Sequence, residues 1–565
     1  LIVEEFSTLC SLAGWQTKMS ISKARDVAKL FTACKKGDMD SIRRMSNLSS
    51  VVNERDEKGR IPLSMAIQRG SWPVFEYLVN IEDIDINAKD DGGRTPLSLA
   101  AEKGLAKFVQ RLLDIRTTEI EASDDEGQTP LAHAAKRGHW AVIHLLAESK
   151  AELESLDKNH RSPLSLAAQG GHQAVVRRLL SRIGTIKHDK DQDGRTPLSF
   201  AAEGGHEAVV DLLLQVTALS VVNIKDNNDN TPLSFAAKEG HQAVLSRLLQ
   251  AKEIEADSKN KNHRTPLSLA AARGHVDIVR RLLNVKVNCR INLDSQDKGG
   301  RTPLSFSAGE GHNNIIEKLI NAGAKLSVLD HKQRSPISYA AAGGHEGSVK
   351  LLLPRDNIEI VDDEGRTPLY FAVENGFGNI VDILLTAKET KLLVNANPPN
   401  EEMRKVLLIA ARTSRWSLVE ILLKHGADPS PLKADQSILR AFEARLASEM
   451  DYERRLSCRR VKTLLDGRPF VDQALAQDNK SSPWAHGTIN IQPSENDEAR
   501  KQVCEYFRAH IQFHRKSRFQ EISMPMWNLL YSPKVSSGDW AAQKFRPQWK
   551  WFHLPASNVC SQTET

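Results

Sequence analysis

At 565 residues the chain is far too long for one hydrophobic core, and its 26% charged and 40% apolar residues are ordinary for a soluble protein, so several domains or a repeat array are expected. A net charge of only +6 gives no reason to expect a nucleic-acid or membrane-surface partner. Six scattered cysteines (Cys10, Cys34, Cys289, Cys458, Cys504 and Cys560) without a CxxC pair exclude a disulfide framework and a zinc site, and fit reduced thiols in a cytoplasmic or nuclear setting.

Residues 1–23 read as an N-terminal extension. Glu4 and Glu5 interrupt its apolar runs and no basic start precedes them, which argues against a signal peptide. The chain opens on Leu1 without Met, as a fragment would. Residues 24–53 spell two short amphipathic helices around Lys36-Gly37-Asp38, the outline expected of an N-terminal capping repeat. No apolar run along the chain reaches the 18 residues of a membrane helix.

From residue 54 to about 400 one motif recurs ten times. Its proline falls at 62, 96, 130, 163, 197, 232, 266, 303, 336 and 368, with gaps of 32 to 37 residues. A period near 33 predicts a stacked repeat array. Arg195 to Leu214 serves as the type copy. Thr196 is placed to cap a helix and Pro197 to occupy its first position, where a missing N–H costs nothing. Ser162 and Ser335 replace that threonine and keep the hydroxyl. Leu198, Ala201 and Ala202 give the first helix a small apolar face. Gly205 breaks it, His206 opens the next turn, and Val209, Val210, Leu212, Leu213 and Leu214 make a second, apolar helix. A polar connector ending in Asp-x-x-Gly, here Asp191 to Gly194, predicts a tight turn projecting as a finger.

These residues resemble the ankyrin repeat, whose pattern runs near D-x-x-G-x-T-P-L-x-x-A-A-x-x-G-H-x-x-V-V-x-L-L-L. The resemblance covers residues 54 to about 395. It implies an all-α ankyrin-repeat solenoid of helix–turn–helix units with hairpin fingers, about 12 to 13 repeats including caps. The family usually has His after T-P-L. Here that position is Ser in eight copies, Ala132 in one and Tyr370 in one, a change expected to leave the fold intact.

Residues 401–466 read as a degenerate ankyrin repeat, LLIAARTSRWSLVEILLKHGADP, followed by a C-terminal helical cap. Residues 467–497 are rich in turn formers and read as a linker, with a short strand possible at 488–491. Residues 498–565 form a basic, Trp-rich C-terminal region, expected to be irregular α/β or partly disordered. Within it, Cys504 to Asn558 is similar to the segment of fungal ankyrin proteins that precedes a membrane domain like that of CorA-type magnesium transporters. Trp551, His553, Leu554, Pro555, Ala556 and Asn558 fit the W-x-H-L-P-A-N-N motif, and Ser557 departs from it. That resemblance implies an alternative reading: a truncated cytosolic portion of a membrane transport protein.

The recurrent Gly-His cannot converge on one ion, since each repeat supplies one His, so no metal or cofactor is expected. No phosphate loop, H-E-x-x-H, kinase signature or G-x-S-x-G is present, so the chain is not expected to be an enzyme. Candidate partner-binding residues remain. An arginine two positions before the proline recurs at Arg60, Arg94, Arg161, Arg195, Arg264, Arg301, Arg334 and Arg366, interrupted by Gln128 and Asn230. Stacking would align these guanidinium forks into a ladder suited to carboxylate or phosphate. The competing reading pairs each with a finger acid such as Asp191, Asp226, Asp330 or Asp362. The positions after the Ala-Ala pair vary between copies, as a binding surface would and as neutral solvated positions also would: Glu102, Lys103, Lys136, Arg137, Glu203, Lys238, Glu239 and Arg273, with Gln192 and Asp193 on a finger. The function expected is a non-enzymatic, monomeric scaffold that binds other proteins on the concave face of the array, with no nucleic acid.

Overall fold

The computed structural model describes residues 21–183, 190–216, 222–284, 291–354, 360–387, 401–448 and 452–466. The expected linker, the basic Trp-rich region and nearly all of the N-terminal extension lie outside these residues. Those described are mostly helical, with no strand among them.

Each of the ten copies folds as two short antiparallel helices. Repeats are numbered 1 to 10 by their prolines, Pro62 to Pro368. The inner helix starts at that proline, as in Pro197–Glu203 of repeat 5, and the outer helix follows, as in Glu207–Val216. Inner helices pack on the inner helices of both neighbours, and outer helices likewise. The reason is visible in the side chains. The paired alanines (Ala201 and Ala202 in repeat 5, Ala236 and Ala237 in repeat 6) have no exposed surface and let adjacent inner helices approach closely. Val209, Val210 and Leu213 of the outer helix close the same core, each worth roughly 1.5–3 kcal/mol of burial.

Helix starts follow the expected chemistry in most copies. Thr95, Thr196 and Thr231 each accept the backbone N–H of the serine three residues on, at 3.2 to 3.3 Å. That serine stands where the family usually carries His. Its hydroxyl lies 3.1 Å from the capping hydroxyl in the same three repeats, so each buried Oγ has a local partner. Two starts differ. Ser335 keeps its hydroxyl but makes no side-chain cap bond, contacting only Ser338 Oγ at 3.1 Å. In repeat 1 Ile61 stands in the threonine's place, and Ser64 Oγ is buried without a partner among the described residues.

The Gly-His pair joins neighbouring repeats. His139, His172, His206, His241 and His275 each donate Nε2–H to a main-chain carbonyl of the preceding repeat, at Glu102, Lys136, Gln169, Glu203 and Lys238, over 2.8 to 3.0 Å. The glycine must be glycine for two reasons. Gly205 has φ +75°, and a Cβ there would meet the His241 ring at 2.6 Å. Phe377 occupies the His position in repeat 10. In the degenerate repeat Arg415 does so, donating from Nη1 to the Val373 carbonyl at 2.6 Å.

Both ends are closed by helices. Ile21–Lys36 packs on the inner helix of repeat 1 and buries Cys34, whose thiol burial pushes up to about 12, making it an inert core residue. At the other end Glu401–Arg412 and Trp416–Lys424 form the degenerate pair, and Tyr452–Leu465 packs on the second of these. Trp416 meets Phe442 edge-on at 4.7 Å, and buried Glu420 receives Lys424 at 2.7 Å and Arg460 at 3.3 Å.

Candidate functional site

The fingers are tight turns rather than strand hairpins. In repeat 5, Asp191 N–H donates to the Arg195 carbonyl at 3.0 Å, and Asp191 Oδ1 accepts the Arg195 N–H at 2.7 Å. The turn needs a left-handed residue. Gly194 supplies it here, whereas His160, Asp229, His263 and Gln333 adopt φ of 57 to 60° in four other fingers. Consecutive fingers are tied by one backbone bond each: Gln192 N to Asn159 O at 3.0 Å, Asn227 N to Asp193 O at 2.7 Å, Lys261 N to Asn228 O at 2.8 Å, and equivalents along all ten. The result is a continuous main-chain rail beside the ends of the inner helices.

The arginine ladder stands behind this rail. Arg60, Arg94, Arg161, Arg195, Arg334 and Arg366 each pair with the aspartate opening their own finger, at 2.6 to 3.4 Å. Asp226 has no arginine and instead accepts Asn230 Nδ2 at 3.2 Å. In repeat 3, where Gln128 replaces the arginine, His133 Nε2–H donates to Asp124 at 2.9 Å. Burial holds the His133 imidazole below its ordinary pKa despite Asp124 and Glu102. This substitution was not apparent in the sequence, although His133 stands where the other copies have Leu, Phe, Met65 or Tyr339.

A second acid, six residues after the proline, completes some pairs. Glu102 bridges Arg94 at 3.4 Å and Arg137 at 2.9 Å, and Glu203 takes Arg195 at 3.1 Å. Burial opposes the charge of Arg94, yet Asp90, Glu102 and Asp124 hold its pKa above normal. Burial also opposes ionisation of Glu102, yet Arg137, His133 and Arg94 hold its carboxyl below the ordinary range.

Repeats 7 to 9 are built differently. The position of the second acid is Ala272, Gly309 and Ala342. Asn260 replaces the finger aspartate of repeat 7, leaving Arg264, among the described residues, Asp297 of the next finger at 3.6 Å as its one carboxylate. No carboxylate among the described residues lies within 4.0 Å of the Arg301 guanidinium, although its backbone N–H donates to Asp297 at 2.9 Å. Aromatic rings fill between the guanidiniums. Arg264 and Arg301 lie 4.3 and 4.1 Å from the Phe306 centroid, and Arg301 and Arg334 lie 4.3 and 4.6 Å from that of Tyr339. Burial and the neighbouring charges of Arg264 and Arg334 push the Arg301 pKa down, against Tyr339 and Asp297. Nε of Arg264 and of Arg301 is buried with no hydrogen-bond partner among the described residues.

The other candidates occupy the same face. Lys103, Lys136, Arg137 and Arg273 are exposed at inner-helix ends, and Lys238 pairs with Glu239 at 2.8 Å. Gln192 spends its side chain on the Lys158 carbonyl at 2.5 Å, whereas Asp193 is exposed and 3.6 Å from Arg195. Among the described residues no group of His, Cys, Asp and Glu is arranged to hold a metal ion, and no helix is long and apolar enough to cross a membrane.

Stacked helix pairs linked by Gly-His contacts and a finger rail define a helical repeat solenoid. A family model described as ankyrin repeats (3 copies) matches at residues 30–124, 107–188, 183–260, 247–330, 308–395 and 337–433. These overlapping matches span most of the chain, which belongs to the ankyrin-repeat family, a protein–protein interaction module. No curated protein matches it. The segment Cys504 to Asn558, read above as similar to a transporter-linked region, lies outside both the matched and the described residues.

Proposed function

We propose that the chain is a non-enzymatic scaffold that captures partner proteins on the face formed by its fingers and inner-helix ends, the concave face of ankyrin stacks. One observation carries this reading. The carbonyls of Glu102, Lys136, Gln169, Glu203 and Lys238 are fixed by the histidine of the next repeat, while their side chains change from copy to copy. Of these side chains Lys136 and Gln169 are exposed, and a rigid backbone that presents variable side chains lowers the ordering cost of binding and leaves specificity to them.

Site-specific photo-crosslinking tests it. A crosslinking residue replaces Lys103, Arg137 or Arg273 on the finger face, or the exposed outer-helix residues Gln110, Arg177 or Arg281. In cells expressing the chain, partner adducts are expected at the first set and not the second. Adducts confined to the outer helices would overturn the reading.

A further inference from the structure

Repeats 7 to 9 present the one stretch where three consecutive ladder arginines lack the second acid. We infer that this stretch is a docking site for an extended acidic peptide, whose carboxylates engage Arg264, Arg301 and Arg334; the inference rests on the finger-face reading above and names the partner chemistry for one part of it.

Charge comes first. In repeats 2 and 5 Glu102 and Glu203 already occupy the outer fork of the arginine. Ala272, Gly309 and Ala342 leave that place to a ligand. Among the described residues Asp297 already serves Arg264 and the Arg301 backbone, Asp330 serves Arg334, Tyr339 and its own turn, and Glu310 is exposed. The fingertips add Lys261, Lys298 and Lys332, all exposed. The stretch ends sharply, because finger 10 carries Asp362, Asp363 and Glu364, and fingers 2 and 3 carry Asp90, Asp91, Asp124, Asp125 and Glu126. An acidic segment is therefore favoured at repeats 7 to 9 and repelled at those fingers.

Geometry fits the same ligand. Each pair of adjacent guanidiniums lies over one shared ring, 4.1 to 4.6 Å from its centroid, so the pair is less than about 9 Å apart, a span that admits the ~7 Å at which an extended peptide repeats its same-face side chains. The rings fix the planar forks that carboxylates engage in bidentate fashion. They are not themselves offered to a base. Phe306 is buried with two guanidiniums over it, and Tyr339 O–H donates to Asp330 Oδ2 at 2.5 Å. Single-stranded nucleic acid needs open aromatic platforms, so the arrangement selects carboxylates over bases.

The test uses the full chain, a fluorescein-labelled dodecaglutamate and an equally long oligouridylate, read by fluorescence anisotropy. Gly309→Glu and Ala342→Glu restore the second acid. A Cβ at Gly309 meets Arg301 Nη2 at 3.4 Å and Tyr339 Cβ at 3.6 Å, ordinary contacts that bring a glutamate beside the guanidinium without displacing it. Dodecaglutamate binding is expected to weaken at least tenfold in either variant, with an unchanged thermal melt, and less than twofold in Gln169→Glu of repeat 4. Tighter binding of oligouridylate than of dodecaglutamate, or equal loss in Gln169→Glu, would overturn the inference. So would dodecaglutamate failing to bind while Lys103 and Arg273 crosslinks persist, an outcome that leaves the scaffold reading standing.

Discussion

Repeats 2 and 5 and repeats 7 to 9 carry the same arginine at the same place in the same fold, yet use it differently. In the first group two carboxylates enclose it: Asp90 and Glu102 on Arg94, Asp191 and Glu203 on Arg195. There it braces the finger against the inner helix. Arg195 also lies over a ring, 4.4 Å from the Phe200 centroid, but in the second group each ring is shared by two guanidiniums, and the outer fork has no internal acid among the described residues. A repeat motif therefore fixes where a side chain stands, and the residue eight positions further along decides whether a second carboxylate encloses it.

The comparison is broken most severely at the finger aspartate. Asp157 of repeat 4 has a fully buried side chain that accepts the Asn159 and Arg161 N–H groups at 3.0 and 2.8 Å and pairs with the Arg161 guanidinium at 2.8 Å. Asp157→Ala strands a half-buried cation together with two turn N–H groups and is expected to cost about 3 kcal/mol. Asn260→Ala in repeat 7 loses neutral hydrogen bonds to Asn262, Arg264 and Asn230, at about 1–2 kcal/mol. Hydrogen exchange of the finger amides reads both losses locally, which matters because a long array does not unfold in one step.

A smaller contrast lies at the helix starts. Ser64→Ala in repeat 1 removes a buried hydroxyl with no partner among the described residues and is expected to stabilise by about 1 kcal/mol. Ser98→Ala in repeat 2 removes the hydroxyl paired with Thr95 and is expected to destabilise by about 0.5–1 kcal/mol. Denaturant midpoints of the two variants should move in opposite directions.

The smallest effect is a pH dependence in repeat 3. Burial depresses the His133 pKa from its ordinary 6.5, so the unfolded chain takes up the proton first. The stability that neutral His133 supplies is complete above pH 6.5 and is lost as pH falls through the depressed folded value. His133→Gln should flatten hydrogen exchange of repeat 3 across that interval; an unchanged slope would show that other groups govern it.

Much of this was legible in the sequence. The period of the prolines, the capping hydroxyls, the paired alanines and the Gly-His pairs are local signals, and each dictates a helix start, a close approach or a turn on its own. The pairing of arginines with finger acids was also readable at Asp191, Asp330 and Asp362, though not at Asp226, where Asn230 takes the bond. What escaped was compensation across the turn. Glu102 and Glu203 read as exposed binding positions because nothing local reveals that they reach back eight residues to Arg94 and Arg195. His133 standing in for an arginine, and Phe306 and Tyr339 lying between guanidiniums of different repeats, depend on stacking that no single copy encodes.

The most direct test of the central claim neutralises two arginine sets and reads two quantities on each. The enclosed set is Arg94 and Arg195 changed to Gln; the open set is Arg264, Arg301 and Arg334 changed to Gln. Finger-amide exchange and dodecaglutamate binding are measured for both. The enclosed set is expected to lose exchange protection and keep its binding, while the open set loses at least tenfold in binding and keeps more of its protection. Equal loss of binding in both sets, or loss confined to the enclosed set, would contradict the account.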